Sequence, residues 1–417
     1  MKYMSVTKHL FLSMSFCAIA FGGHAQERDS LDIKIGQMIL IGVPGTVVDS
    51  TVLKEVQEGK AGSIIFFEKN IQPTDSYAQL KRLAWAYQSA APIPLFIAID
   101  QEGGKVNRLK EKYGFPRSIS AAAMGVSVDS VRYYGQTTAA TLIGLGINVN
   151  FAPVVDLATN PDNPVIAKVE RSFSENPDSV ARYAREFIKT HQKLGVVTVL
   201  KHFPGHGSSK DDTHLGMADV TNTWALKELV PYRTLIDSGY VDAIMTAHIV
   251  NRKLDGKGVP GTLSSRMLDS LLRKSLHFDG VVFSDDMQMH AITRHYGLEE
   301  AIKLAVNAGV DILTFSNNIQ GSEDRTVDKV HSIIRKYVED GTIPMARIDE
   351  SYHRIMNLKE KLGSSQASYY RMEWLKAQQG LRQYKSQLRQ TEPELELLKD
   401  KVDGMPEGKP KKKKKKN

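Results

Sequence analysis

The chain has 417 residues, 41% hydrophobic and 24% charged, which is enough apolar material for a full core, and its formal net charge is +8. That charge sits at the ends: residues 363–417 hold fourteen Lys and Arg against seven Asp and Glu, residues 1–25 add Lys2 and Lys8, and removing those +7 and +2 leaves −1 for residues 26–362. A nearly neutral body excludes the basic footprint of a nucleic-acid binder, and a lone cysteine, Cys17, leaves the rest of the chain no disulfide and no thiolate ligand or nucleophile.

In chain order, Lys2 and Lys8 precede an apolar stretch from Leu10 to Phe21 and a small-residue end at Gly23-His24-Ala25. This predicts an export signal over residues 1–25, cleaved before Gln26, because the apolar stretch is too short to span a bilayer. Met14-Ser15-Phe16 before Cys17 do not form a lipoprotein box, so the expected product is an exported protein, periplasmic or secreted. The body, residues 26–362, then alternates two periodicities. Eight short apolar runs are expected as buried strands: Met38–Gly42, Ser63–Phe67, Leu95–Ile99, Asn148–Phe151, Val196–Leu200, Ala243–Thr246, Val281–Ser284 and Asp311–Phe315. Between most of them lie amphipathic stretches, Asp75–Ala91, Asp129–Gly144, Pro177–Leu194, Leu226–Ser238, Ser265–Ser275 and Leu298–Ala308, expected as helices. Eight strand-helix repeats predict an α/β fold, a closed (β/α)8 TIM-type barrel. An open doubly wound sheet is the alternative, but Gly42-Val43-Pro44-Gly45 after the first run is no dinucleotide-binding turn.

A barrel places its active site at the carboxyl ends of its strands. Those ends here are polar: Glu68; Asp100-Gln101-Glu102; Asn150 and Asp156; Lys201-His202; His248; Asp285-Asp286; Ser316-Asn317. One polar strand end is usually only solvated, whereas this many on one rim point to a polyhydroxylated ligand. After the fifth run, Phe203-Pro204-Gly205-His206-Gly207 forces the chain out as a loop, which carries Asp212 and His214. A carboxylate near an imidazole fixes its tautomer and raises its basicity, as proton exchange near neutral pH requires. The loop's Gly205, Gly207, Ser208 and Ser209 suggest mobility. Asp285, directly after Gly-Val-Val-Phe-Ser, stands at a strand tip where a carboxylate nucleophile belongs, while Asp286 is expected to point elsewhere or to cap a helix starting near Met287.

These residues resemble glycoside hydrolase family 3, and within it the single-domain β-N-acetylglucosaminidases. The resemblance rests on Leu271–Met289 (LLRKSLHFDGVVFSDDMQM), on KHFPGHG with the Asp-Thr-His dyad, on Ile99–Leu109 (IDQEGGKVNRL) and on Asn150–Phe173, and covers roughly residues 30 to 360. It implies Asp285 as nucleophile, His214 as acid/base with Asp212 as its partner, and Asp100, Arg171, Lys201, His202, His206 and Met287 as substrate-binding residues. Departures are Lys105 where arginine is usual, Ser275 where a charged or amide residue is usual, and a slightly longer segment Ala167–Glu170 before Arg171.

The implied reaction is retaining hydrolysis of a terminal β-linked N-acetylglucosamine, from peptidoglycan fragments or chito-oligosaccharides, through a glycosyl-aspartate. A histidine donor, neutral once deprotonated, does not repel the nucleophile. Within the same family a β-glucosidase-like activity or a phosphorolytic one, with phosphate replacing water, is the alternative. From other classes, an inactive glycan-binding barrel is opposed by the intact Asp285, Asp212 and His214. A metal-dependent amidohydrolase could count His202, His206, His248 and Asp285 as ligands, yet Lys201 would repel the cation and no His-x-His ends the first run. The expectation is therefore no metal and no cofactor, a carbohydrate substrate, no nucleic-acid partner and a monomer. Beyond the body, residues 363–403 carry an irregular apolar stripe (Met372, Leu375, Leu381, Tyr384, Leu388) expected as a helical extension, and residues 404–417 end in Lys411–Lys416, a disordered tail suited to weak contact with an anionic envelope or membrane surface.

Overall fold

The computed structural model describes residues 30–211, 216–318 and 327–363, together with the single position 383. Eight parallel strands close into a barrel: β1 (Ile39–Gly42), β2 (Ser63–Phe66), β3 (Phe96–Ile99), β4 (Val149–Asn150), β5 (Val197–Phe203), β7 (Ala243–Thr246), β9 (Val281–Asp286) and β10 (Ile312–Phe315), with β10 pairing back to β1. Two short strands outside it, β6 (Ala218–Asp219) and β8 (Ile249–Val250), pair with each other. Each of the eight expected runs is a strand, since a β-branched or aliphatic run buried on both faces satisfies its backbone only in a sheet.

Helices cover the outside. Pro177–Gln192 starts where Asn176 accepts a hydrogen bond from the Ser179 amide at 3.0 Å and Pro177 occupies the first turn, and it ends before Gly195 at φ 73°. Its buried residues Val180, Ala184, Phe187, Ile188 and His191 recur at helical spacing and pack on the sheet. Ser265–Ser275, expected as a helix, is a π-helix over Arg266–Ser275. Further helical stretches that the sequence reading did not single out include Ser30–Gln37, Ser50–Gln57, Val327–Glu339 and residues 345–363.

Register separates two strands from the rest. Between the pairs Leu200↔Ile244 and Phe203↔Thr246, β5 has two residues, Lys201 and His202, against one on β7. Between Phe283↔Ile312 and Asp286↔Thr314, β9 has two residues, Ser284 and Asp285, against one on β10. Each is a bulge that re-aims the side chains around it, and both lie at the carboxyl-terminal mouth of the barrel. The fifth strand therefore does not stop at Leu200, as the sequence suggested, but carries Lys201 and His202 within it.

Candidate active site

The mouth opens into a cavity of about 230 Å³ lined by charged groups from β3, β5 and β9 and by Phe67, Phe151, Met245 and Met289. Asp100, just past β3, takes a hydrogen bond from Lys201 Nζ at 2.8 Å, and Arg108 approaches its other oxygen at 3.4 Å. The same Lys201 ammonium lies 2.6 Å from Glu102 Oε1. Arg171 then grips Glu102 with two nitrogens, at 2.8 and 2.7 Å, and donates to the Val165 carbonyl at 2.9 Å. Its terminal nitrogen sits 3.3 Å from His202 Nε2.

Below this row Asp156 is fully buried and organises the fifth-strand loop. It accepts the His202 amide at 3.2 Å and the His206 amide at 2.7 Å, and its Oδ2 lies 2.7 Å from His202 Nδ1. That contact directs the Nδ1 proton of His202 to Asp156 and turns Nε2 toward Arg171 and the cavity. Burial would raise every one of these carboxyls. Lys201 and then Arg108 nevertheless hold Asp100 below the usual range, Arg171 and Lys201 bring Glu102 down to about 2, and His202 lowers Asp156. All three are ionised at neutral pH.

On the opposite wall stand Asp285 and Asp286, the last two residues of β9. The Asp286 amide donates to Asp285 Oδ1 at 2.8 Å. Burial pushes the Asp286 carboxyl up to about 6, against the pull of Ser316 and the Gln288 amide.

A family model, the glycosyl hydrolase family 3 N terminal domain, matches residues 30–358. The chain belongs to glycoside hydrolase family 3. It is 35% identical over 333 residues to beta-hexosaminidase A of Pseudoalteromonas piscicida, covering 74% of this chain and 54% of that one, so it spans about half the length of that relative. To the beta-hexosaminidase of Tolumonas auensis it is 34% identical over 289 residues, covering 68% of this chain and 84% of that one. Among solved structures, the family 3 β-N-acetylglucosaminidase of Paenibacillus sp. str. FPU-7 matches with a TM-score of 0.73 at 34% identity, over 80% of this chain and 63% of that one. The β-N-acetylhexosaminidase of Beutenbergia cavernae matches with a TM-score of 0.71 at 26% identity, over 79% of this chain and 98% of that one.

For this family 3 barrel, the structure brings Asp100, Arg171, Lys201, His202 and Asp285 onto one cavity, while Asp212 and His214 lie outside the described residues. Several expectations need correction. Met287 does not line the cavity: it is buried, its amide bonded to the Thr314 carbonyl at 2.9 Å, and Met289 takes the place on the wall. His206 is also buried behind the mouth, edge-on to His202 at 6.0 Å, and burial lowers its imidazole to about 4. Asp286 does not point away or cap a helix, because the bulge in β9 brings it to the cavity wall and the next helix begins only at His290.

Other rim residues brace rather than line. Asn150 ties down the Gln101 backbone through both its oxygen and its nitrogen, and Glu68 accepts Tyr113 and pairs with Lys110 and Lys112. His248 donates from Nε2 to the Asp286 carbonyl at 2.9 Å. Packing requires the glycine at 207 in the fifth-strand loop: a Cβ there would meet the Leu157 carbonyl at 2.0 Å. Side chains also pin that loop from Pro204 to Ser209, with Trp224 on the Pro204 carbonyl, Asn163 on those of His206 and Gly207, Glu228 on the Gly207 amide and Asn160 on the Ser209 carbonyl. Sequence reading placed Glu102 on the rim without a role and missed Arg108 and Met289 as site residues. Both carried a usable signal, Arg108 in the same third-strand motif as Asp100 and Met289 at the end of the seventh-strand motif that holds Asp285.

Proposed function

We propose that the protein is an exported, retaining exo-β-N-acetylglucosaminidase that removes terminal β-linked N-acetylglucosamine from peptidoglycan fragments or chito-oligosaccharides. The observation that carries this reading is Asp285 on one wall of a cavity whose other wall is the Asp100–Lys201–Glu102–Arg171 row. The names of the relatives, beta-hexosaminidases and a β-N-acetylglucosaminidase, support the substrate class.

In this reading the charged row binds the hydroxyls of one sugar and holds its anomeric carbon against Asp285. The Asp285 carboxylate attacks that carbon as the bond to the leaving oxygen breaks, and His214, oriented by Asp212, supplies that oxygen with a proton. The neutral imidazole then takes a proton from water, which displaces Asp285 and releases the sugar with its configuration retained. A cavity of about 230 Å³ suits a single terminal residue better than a long internal stretch of polymer.

The test compares nitrophenyl β-N-acetylglucosaminide with the β-glucoside, using Asp285→Ala and His214→Ala beside the wild type. The expected result is preference for the acetylated sugar and losses of about 10³-fold or more in turnover for each variant with the fold intact. Near-normal turnover by folded Asp285→Ala would remove the assignment. Running the same assay in phosphate buffer separates hydrolysis from phosphorolysis, since free sugar is expected and sugar phosphate is not.

A further inference from the structure

We propose that Asp286 is a positioning residue that sets the orientation of the neighbouring Asp285 carboxylate by fixing the backbone amide against which one Asp285 oxygen rests. The inference deepens the proposed function and rests on its reading of Asp285 as nucleophile.

A carboxylate at a strand tip has two rotatable bonds, and attack on an anomeric carbon tolerates little error in either. Here the Asp286 amide donates to Asp285 Oδ1 at 2.8 Å, so the direction of the Asp285 side chain depends on where residue 286 sits. Strand pairing alone does not fix that position: residue 286 is in register with Thr314, whose carbonyl takes the Met287 amide at 2.9 Å, but the ladder slips by one residue immediately before it, at Ser284-Asp285. The Asp286 side chain supplies the remaining ties. Its Oδ2 accepts the Ser316 hydroxyl, and its Oδ1 accepts the amides of Gln288 at 3.0 Å and Ser316 at 3.3 Å. From the other side His248 Nε2 donates to the Asp286 carbonyl at 2.9 Å, and His248 Nδ1 is held by Thr262 at 2.7 Å.

Residue 286 is thus tied to β10 through its side chain and to the segment after β7 through its carbonyl, and its amide is left facing Asp285. Although Asp286 reaches the cavity wall, its carboxyl is occupied by these ties, which is why it is assigned to positioning and not to chemistry. Asn at this position would keep the amide acceptor on Oδ1, with Nδ2 donating to the Ser316 hydroxyl, whereas Ala would release the segment.

The test uses full-length protein and an N-acetylglucosaminyl fluoride carrying a second fluorine at C5, a probe that accumulates the glycosyl-enzyme, with the labelled residue located by mass spectrometry. Wild type should label at Asp285. Asp286→Ala should label at the same residue about tenfold to a hundredfold more slowly and show a matching fall in kcat with KM within about twofold, the signature of a misplaced reacting group and not of lost substrate binding. Asp286→Asn should recover the rate to within about threefold. If Asp286→Ala does not fold, Ser316→Ala, which removes the hydroxyl held by Oδ2, should show the same slowing. Labelling of Asp285 at the wild-type rate in Asp286→Ala, or in Ser316→Ala where that variant stands in, overturns the inference while leaving the nucleophile in place. A wild-type label on any other residue removes the nucleophile reading, and the inference with it.

Discussion

At the floor of the barrel, Asp311 is wholly buried and accepts the Val282 amide at 2.9 Å, Arg273 at 2.7 Å, Arg347 at 2.6 Å and the Ser351 hydroxyl at 2.8 Å. At the mouth, Asp100 also meets two cations, Lys201 and Arg108, yet 17% of its side chain stays exposed to the cavity. Both ends bury charge, but the floor spends its charges on protein: Arg347 also reaches two backbone carbonyls, and Lys359 donates to Gln37 and to the Gly62 carbonyl. The mouth leaves acceptors and donors aimed at open space. The difference separates stability from function within one fold, since a saturated ion cluster can only hold the chain together, whereas a partly open one can also exchange partners with a ligand.

The largest separation is expected from Asp100→Ala at the mouth. It should lower kcat/KM by about 10- to 10⁴-fold, the loss of one or two charge-assisted hydrogen bonds to substrate worth roughly 1.5–3 kcal/mol each, while the melting temperature moves little. Next, Asp311→Ala at the floor should do the reverse. Leaving Arg273 and Arg347 without their shared partner should cost about 3–5 kcal/mol in urea denaturation, with kcat/KM of the folded fraction near that of the wild type. A kinetic defect there as large as that of Asp100→Ala would break the contrast between the two ends.

A smaller effect sharpens the comparison at the base of the fifth-strand loop. Glu228 is buried against Gly205 and holds the Gly207 amide at 2.9 Å, and burial pushes its carboxyl up to about 7. Its folded pKa lies above the unfolded value of 4.5, so the native state holds the proton more tightly. Stability therefore falls as pH rises from about 4.5 to 7, and the penalty is fully present above 7, on the order of 3 kcal/mol. Glu228→Gln removes that penalty while keeping an acceptor for Gly207. It should raise the melting temperature at pH 8 and leave it nearly unchanged at pH 4, and an equal shift at both pH values would show that Glu228 titrates at its unfolded value.

The barrel was legible because its signal is local. Each strand buried on both faces is a short aliphatic run, each covering helix repeats its apolar residues at a spacing near 3.6, and the alternation of the two leaves few topologies. The third-, fifth- and seventh-strand motifs likewise placed Asp100, Lys201, His202 and Asp285 at strand ends by counting residues. The same counting failed for Asp286. It assumes that alternation of side chains persists to the strand tip, and β9 breaks that alternation against β10. It also read Gly205 and Gly207 as freedom, although at Gly207 the missing Cβ makes room for the Leu157 carbonyl.

The sequence by itself determined the eightfold repeat, the polar rim and the residue types available for acid, base and nucleophile, because hydrophobic period and side-chain chemistry are properties of neighbours along the chain. Only the tertiary structure decided that Asp156 governs His202 from 46 positions away, that Arg171 closes on Glu102 from 69 positions away, and that two bulges turn Lys201, His202, Asp285 and Asp286 to the mouth. Register and long-range ion pairs depend on how separate strands slide past one another as the barrel closes, and no stretch of sequence carries that offset on its own.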